Sequence, residues 1–111
     1  FPAASGEQLR DFCFVQDTVT AIFAVFTEPM VRGETINIGS GVGVSIRHMV
    51  EMVQSLVGRG QPLFGKIAYR SGESMALYAD VTKAMELLGW SASVSLEDGL
   101  LQTIRWVEDG L

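Results

Sequence analysis

Two arginines in this 111-residue chain stand where an α/β protein places residues that bind phosphate. Arg10 precedes the apolar run Phe12-Cys13-Phe14-Val15, which is too short for a helix and predicts a strand covered on both faces. A guanidinium at the entrance of such a strand offers a rigid fork of donors that suits a phosphate. Arg10 can equally pair with Asp11 or with a surface carboxylate, since such ion pairs are common.

A second charged cluster, Tyr69-Arg70-Ser71-Gly72-Glu73, follows a strand predicted over residues 66–69. Arg70 is suited to bind a phosphate, and the carboxylate of Glu73 is suited to accept a hydrogen bond from a sugar hydroxyl. The alternative is a charged loop that contains an Arg70–Glu73 ion pair. Because strand ends are where α/β sheets bind ligands, Arg10 and Arg70 together favour an anion site.

A glycine-rich loop, Gly39-Ser40-Gly41-Val42-Gly43, lies between a predicted strand and a predicted helix. That context suits phosphate binding at a helix N-terminus. The spacing is nevertheless not G-x-G-x-x-G, because residue 44 is Val, and no Gly-Lys-Ser/Thr follows. The loop is therefore interpreted as a tight turn in which glycines supply positive φ angles.

Histidine and cysteine chemistry receives little support. The single histidine, His48, falls opposite the apolar stripe of its helix, which predicts a surface position and disfavours a Ser/His/Asp triad or a zinc site. The single cysteine, Cys13, is interpreted as a small buried hydrophobe, and it excludes an internal disulfide and a cysteine-cluster metal site. We therefore expect no catalytic residue and no metal ligand in this chain.

The elements that must position these residues alternate between strand and helix. Residues 35–38 and 66–69 predict the second and third strands. Asp17, Ser45, Asp80 and Ser95 each stand where a helix N-cap belongs, and Gly58 and Gly89 where helices end. The first helix, over residues 17–27, presents an apolar stripe of Val19, Ile22, Phe23 and Phe26. Trp90, after a helix end, is interpreted as a core residue, and Trp106 as a partly covered one.

The predicted class is α/β, or α+β when the chain is taken by itself, with about four amphipathic helices and a small sheet of short strands. Its length allows one domain, over residues 1–111. The predicted strands are few for the number of amphipathic helices, each of which needs an apolar surface to pack against, and 48% of the residues are hydrophobic. The chain is therefore interpreted as part of a larger α/β protein or as one that associates into a homo-oligomer.

Charge and hydropathy exclude several partners. The net charge of −5 argues against binding to nucleic acid or to an anionic membrane surface. The sequence contains no apolar stretch long enough for a transmembrane helix, and its first residues do not form a signal peptide. The cytoplasm is the expected location.

Several short motifs occur in a fixed order along the chain: Gln8-x-Arg10-Asp11-Phe12, Val15-x-Asp17, Asn37-x-Gly39-x-Gly41, Arg70-x-Gly72-Glu73, Ala79-Asp80-x-x-Lys83-Ala84, Leu88-Gly89-Trp90 and Leu96-Glu97-Asp98-Gly99-Leu100. The ordered set resembles the C-terminal third of extended short-chain dehydrogenase/reductases that act on nucleotide-diphosphate sugars. UDP-glucose 4-epimerase-like and dTDP-glucose 4,6-dehydratase-like enzymes belong to that group. The resemblance covers the chain from Gly6 onward.

The resemblance implies the C-terminal portion of a larger Rossmann-type enzyme, with the nucleotide-diphosphate sugar as its ligand. By that similarity Arg10 would contact the diphosphate or nucleoside, Arg70 the diphosphate, and Glu73 a ribose hydroxyl. Gln8 is a weaker candidate for the same pocket. Some members carry Asp at the position of Glu73 and an aromatic residue a few positions later, where this chain has Leu77 and Tyr78.

The cofactor machinery of that family has no counterpart in this sequence. Neither the glycine fingerprint nor a Tyr-x-x-x-Lys pair is present, since Glu73 follows Tyr69 and Thr82 follows Tyr78 at the fourth position. NAD or NADP is therefore expected in the parent enzyme and not on this chain, which is expected to be inactive alone. Two alternatives stay open: a stand-alone nucleotide or nucleotide-sugar binding module, and an oligomerising fragment without a ligand.

Overall fold

The computed structural model describes residues 1–110. It contains four helices and three two-residue strands, which confirms the predicted class. In chain order the elements are β1 (Leu9–Arg10), α1 (Val15–Thr27), a 3-10 turn (Pro29–Val31), β2 (Val44–Ser45), α2 (Ile46–Val57), β3 (Ala76–Leu77), α3 (Thr82–Leu88) and α4 (Leu96–Glu108).

The sheet has the order β2-β1-β3, so that the strand carrying Arg10 is central. β1 pairs antiparallel with β2, placing Arg10 opposite Val44. It pairs parallel with β3, placing Arg10 opposite Leu77. The backbone of Met75 extends this second pairing by accepting a hydrogen bond of 2.9 Å from the Leu9 amide. The central position holds the Arg10 backbone from both sides.

The strands predicted over residues 12–15, 35–38 and 66–69 are wrong, because the strands that form lie elsewhere. Residues 36–38 make no backbone hydrogen bonds within the described part of the chain, although Ile36 and Ile38 pack against the core. Alternate residues of this segment face the core, as they would in a strand. A strand also needs a neighbouring strand with which to form hydrogen bonds. Val15, at the end of the first apolar run, is instead the first residue of α1.

The predicted N-cap role of Asp17 is also wrong. Phe14 is the N-cap of α1 and makes no side-chain cap bond. Asp17 lies inside the first turn with only 4% of its surface exposed. Its carboxylate accepts hydrogen bonds from the amide and hydroxyl of Ser93 and from the Val94 amide, over 3.0–3.2 Å. A carboxylate so buried needs these donors, and it thereby fixes the α3–α4 connection against α1.

The core is built on small residues around one tryptophan. Ala21 of α1, Ala84 of α3 and Trp90 form its buried cluster. The Trp90 indole donates to the Asp17 carbonyl and to the Thr20 hydroxyl, each over 3.1 Å. Trp90 is 7% exposed, which confirms its prediction as a core residue.

The predicted apolar stripe of α1 does not face this core. Ile22, Phe23 and Phe26 are exposed, Phe26 by 80%. Trp106 on α4 is also largely exposed. The fold is flat, with extents of 48 × 38 × 20 Å and a radius of gyration of 16.5 Å, against about 13 Å for a compact domain of ~100 residues. Much apolar surface is therefore left on the outside.

Most predicted helix boundaries are confirmed. The hydroxyls of Ser45 and Ser95 cap α2 and α4, each accepting from the amide three residues later. Gly58 and Gly89 end α2 and α3 in the left-handed conformation. The predicted N-cap position of Asp80 is wrong by one residue, since Val81 is the N-cap of α3, although the Asp80 carboxylate does accept a hydrogen bond from the Thr82 amide.

None of the helices in residues 1–110 has both the length and the apolar character needed to cross a membrane. Nor does any group of three or more His, Cys, Asp or Glu side chains in that range stand ready to hold a metal ion.

We predict that Asp17→Ala lowers the free energy of unfolding by about 2–4 kcal/mol, because it leaves buried donors of Ser93 and Val94 without an acceptor. Urea unfolding followed by circular dichroism measures the change. The control is Asp109→Ala at the exposed end of α4, expected within about 0.5 kcal/mol of the unmodified chain. Equal stability of the two variants would contradict the role of Asp17.

Candidate functional site

Arg10 and Glu73 form the ion pair at the centre of the candidate site. Arg10 Nη2 lies 2.9 Å from Glu73 Oε1, and the two side chains are 23% and 20% exposed. Arg10 Nη1 donates to its neighbour's carbonyl, Leu9 O, over 2.7 Å. The structure thus rejects the pairing with Asp11 and bears out the other alternative, an ion pair with a partly exposed carboxylate, here that of Glu73. It leaves the guanidinium held on two sides and still reachable from solvent.

A turn before β3 places Glu73 beside Arg10. The Glu73 amide donates to the Arg70 carbonyl over 3.0 Å, and Gly72 supplies the positive φ of +77° that the turn needs. The parallel pairing of β3 with β1 then carries this turn to Arg10. Sequence reasoning offered only Arg70 as the partner of Glu73, because the contact with Arg10 depends on how β1 and β3 pair across the fold.

Arg70 lies at the first position of this turn and is exposed. Within residues 1–110 no carboxylate comes within 4.0 Å of its guanidinium, so the alternative Arg70–Glu73 ion pair is not formed. Arg70 also follows no strand, because the strand predicted over residues 66–69 is absent. The structure therefore brings Arg10 and Glu73 into contact and leaves Arg70 at the far end of the same turn.

Gln8 precedes β1, and its carbonyl accepts from the Ile46 amide over 3.0 Å. Its side-chain oxygen, Oε1, is buried and has no hydrogen-bond partner in residues 1–110. Buried polar atoms are normally paired. Gln8 thus contributes an uncommitted acceptor close to the strand that carries Arg10.

Asp11 connects three segments around the site, a role that sequence reasoning missed. Its carboxylate accepts from the amides of Ser40, Gly41 and Ala79 over 2.7, 3.0 and 3.1 Å. Burial alone would raise the pKa of Asp11, but hydrogen bonds from Ser40, Ala79 and Gly41 outweigh it and lower that pKa. Asp11 is therefore a charged structural group. The one feature of the sequence that could have indicated this role is the position of Asp11 between Arg10 and an apolar run, where a carboxylate needs hydrogen-bond donors.

The glycine-rich loop packs against Asp11, and the prediction that its glycines supply positive φ angles holds for one of the three. Gly41 has a φ of +77°. A Cβ at Gly39 would lie 2.6 Å from Asp11 Oδ2, and one at Gly43 would lie 2.8 Å from the Tyr78 ring. Because the Ser40 and Gly41 amides already serve Asp11, they are not free to hold a pyrophosphate. The loop does not fit a dinucleotide cofactor.

An open cavity of about 400 Å³ adjoins the ion pair, and Arg10, Asn37, Leu77, Tyr78 and Asp80 are among its lining residues. The sequence assigns neither Asn37 nor Asp80 to a binding site. The hydroxyl and amide of Thr82 lower the pKa of Asp80, which keeps this carboxylate charged. The cavity combines one guanidinium with carboxylates, an amide and a phenol, a set suited to a ligand rich in hydroxyls as well as in phosphate.

His48 and Cys13 lie outside this group. His48 is exposed on α2, which confirms its predicted surface position. Cys13 is partly buried against the core cluster and belongs to no strand. Within residues 1–110 the Cys13 thiol contacts the Thr18 hydroxyl and the Phe14 carbonyl, and neither group is a base that could activate it.

Residues 2–103 match the family model described as GDP-mannose 4,6 dehydratase. The chain belongs to this family. That membership confirms the predicted resemblance to nucleotide-sugar epimerases and dehydratases.

The relatives of this chain include proteins named as epimerases and proteins named as dehydratases. The chain is 38% identical over 104 residues to an uncharacterized UDP-glucose epimerase, YtcB, of Bacillus subtilis, covering 92% of this chain and 32% of that protein. It is 34% identical over 113 residues to dTDP-glucose 4,6-dehydratase of Xanthomonas campestris, covering 91% of this chain and 31% of that protein. The chain spans about a third of the length of the curated relatives it matches.

Solved structures show the same relation. MoeE5 in complex with UDP-glucuronic acid and NAD superimposes with a TM-score of 0.85 at 35% identity, over 99% of this chain and 38% of MoeE5. UDP-glucuronic acid 4-epimerase from Bacillus cereus, in complex with NAD, gives a TM-score of 0.81 at 29% identity, over 97% of this chain and 33% of that one. Both neighbours contain NAD, the cofactor predicted for the parent enzyme.

We predict that Asp11 makes the stability of this family member depend on pH in the acid range. Because the folded-state pKa of Asp11 is lowered, its charged form adds stability above the unfolded pKa of about 3.9, and that stability is lost as pH falls through the folded pKa. The free energy of unfolding of the unmodified chain should therefore exceed that of Asp11→Asn most at pH 6–7, and the gap should narrow below about pH 4.

Urea unfolding of both chains from pH 7 to pH 3 measures this gap, with Asp109→Asn as the control for loss of an acidic side chain. A gap that stays constant over the whole range would show that the charge of Asp11 does not stabilise the fold.

Proposed function

We propose that this chain is the C-terminal, substrate-binding part of an NAD(P)-dependent nucleotide-diphosphate-sugar epimerase or dehydratase. The observation that carries the proposal is the Arg10–Glu73 pair, with Arg70 on the same turn, in a chain whose relatives are such enzymes. Two cations and a carboxylate suit a ligand that joins a diphosphate to a hydroxyl-bearing sugar.

Each residue has a role in the proposal. Arg10 binds the diphosphate, or the adjoining nucleoside, with the guanidinium donors that Leu9 and Glu73 do not use. Arg70, exposed at the start of the turn, binds the diphosphate. Glu73 accepts a hydrogen bond from a ribose hydroxyl, and Gln8 is the weaker candidate for a further contact in the same pocket.

The cofactor belongs to another part of the enzyme in this proposal. Bound NAD(P) supplies hydride transfer, whereas the residues of this chain hold the nucleotide end of the substrate. Support comes from the missing Tyr-x-x-x-Lys pair and from the loop amides committed to Asp11. The chain alone is accordingly inactive and binds no NAD(P).

The exposed apolar surface supports the proposal that another part of the enzyme packs against this chain. A flat chain with Phe23 and Phe26 of α1 exposed leaves surface for a dinucleotide-binding part to cover. The complete enzyme, meaning this chain joined to that part, is proposed to be a cytoplasmic homo-oligomer that binds neither nucleic acid nor membrane.

In the complete enzyme, Arg10→Ala and Arg70→Ala should each weaken nucleotide-sugar binding by about ten- to a hundred-fold, because each removes a charge-assisted contact to the diphosphate. Calorimetric titration with UDP-glucose, dTDP-glucose and GDP-mannose identifies a bound ligand and measures the loss. NAD affinity should stay within about two-fold, since the cofactor lies elsewhere.

Arg105→Ala is the matched control, because it removes an exposed arginine from α4, outside the site. Lysine at position 10 or 70 should restore only part of the loss, since an ammonium lacks the bidentate fork. Two alanine variants that fold and bind nucleotide-sugar as tightly as the control would overturn the site assignment.

The isolated chain should show no saturable NAD binding in a calorimetric titration up to ~1 mM, a concentration that would reveal even weak sites. The expected reason is that the Ser40 and Gly41 amides are committed to Asp11 and that the sequence has no Tyr-x-x-x-Lys pair. Micromolar NAD binding to this chain would contradict the proposed division of labour. Tight binding of nucleotide-sugar to the isolated chain would instead favour the stand-alone binding module.

A second candidate function, an oligomerising fragment without a ligand, is favoured by the exposed α1 side chains alone. Sedimentation of the isolated chain at ~100 μM distinguishes it, because contacts of ordinary affinity form at that concentration. Assembly together with failure to bind any of the nucleotide-sugars would favour this candidate, whereas nucleotide-sugar binding by the complete enzyme favours the first.

A further inference from the structure

We propose that Glu73 determines ligand specificity by acting as a counter-charge: it disfavours bare polyphosphates at Arg10 and favours diphosphates that carry a ribose. The inference rests on the proposed function, because it concerns the same anion site. It goes beyond that function in assigning Glu73 two opposite effects on two classes of ligand.

The two carboxylate oxygens of Glu73 differ in their contacts. Oε1 accepts from Arg10 Nη2 over 2.9 Å. Oε2 has no hydrogen-bond or ion-pair partner within residues 1–110. Glu73 can therefore keep its pairing with Arg10 and still accept from a ligand hydroxyl through Oε2.

Three carboxylates lie around Arg10, although the site is proposed to bind an anion. Glu73 touches the guanidinium, while Asp11 and Asp80 line the adjoining cavity. Both aspartates have lowered pKa values and are charged. Arg70 is the second cation close to Glu73 in the chain. A phosphate that approaches Arg10 consequently meets a carboxylate already in contact with the same guanidinium.

Ligand chemistry decides which effect of Glu73 dominates. Inorganic pyrophosphate has no sugar hydroxyl, so it experiences only the repulsion between its charges and the carboxylate. A nucleoside diphosphate experiences the same repulsion, but its ribose hydroxyls can donate to Oε2, and a hydrogen bond to a charged acceptor is stronger than a neutral one. Specificity then arises from penalising the wrong ligand as well as from binding the right one.

The test compares inorganic pyrophosphate with the nucleotide-sugar that binds best among UDP-glucose, dTDP-glucose and GDP-mannose, on the complete enzyme in metal-free buffer. For Glu73→Gln we expect pyrophosphate affinity to rise about three- to ten-fold and nucleotide-sugar affinity to fall by a similar factor. Both factors are modest because Glu73 is partly exposed and its charge is screened. Glu73→Ala should shift both ligands in the same two directions.

Two variants serve as controls. Glu73→Asp keeps the charge on a shorter side chain, so that pyrophosphate affinity should remain within about two-fold of the unmodified enzyme. Glu51→Gln removes a carboxylate from the exposed face of α2, where it lies 4.0 Å from Arg47. It should change neither affinity.

Opposite shifts for the two ligands in Glu73→Gln, absent from Glu51→Gln, support the proposal. Shifts in the same direction, or none, overturn it, and a joint weakening would mean that Glu73 serves only to orient Arg10. Arg10→Ala separates this failure from a failure of the proposed function. If Arg10→Ala weakens nucleotide-sugar binding, only the counter-charge is wrong, and if it has no effect, the proposed site itself fails.

Discussion

The carboxylate of Asp11 is the contact on which the arrangement of the candidate site depends. It accepts hydrogen bonds from the amides of Ser40 and Gly41 in the glycine-rich loop and from the amide of Ala79. It therefore joins the end of β1 to two segments that are distant in sequence. Strands of two residues supply few ladder bonds, so this carboxylate replaces sheet pairing that the fold otherwise lacks. Replacing Gly39 would bring a Cβ into the space that Asp11 fills, which explains why a glycine stands there.

Asp17 performs the same kind of work on the other side of the fold. Its carboxylate is buried in α1 and accepts hydrogen bonds from the amides of Ser93 and Val94, which follow Trp90 in the chain. The Trp90 indole in turn donates a hydrogen bond to the Asp17 carbonyl in α1. Both regions are therefore joined through charge-assisted hydrogen bonds to backbone groups. With few large side chains fully covered, such bonds carry an unusual share of the specificity of this fold.

The site inherits its geometry from these anchors. The pairing of β1 with its neighbours holds the Arg10 backbone, and the turn with Glu73 leads into β3. Asp11 fixes the glycine-rich loop on one side and the segment between β3 and α3 on the other. The ion pair is thus the meeting point of segments that are 63 residues apart in the chain. It joins two charged side chains, whereas the donors to the two aspartates are backbone amides and the Ser93 hydroxyl.

The sequence by itself determined the class of fold, the family and most of the helix ends, because caps and glycine stops act over three or four residues. It also identified Arg10, Glu73, Arg70 and Gln8 as candidates, through motif order. The tertiary structure alone decided which strands form, since pairing needs a distant neighbour, and residues 36–38 have none. It also decided that Glu73 pairs with Arg10, that Asp17 is buried, and that the α1 phenylalanines face outward. Each of these outcomes depends on which segments meet across the fold, and local patterns of residue type do not encode that information.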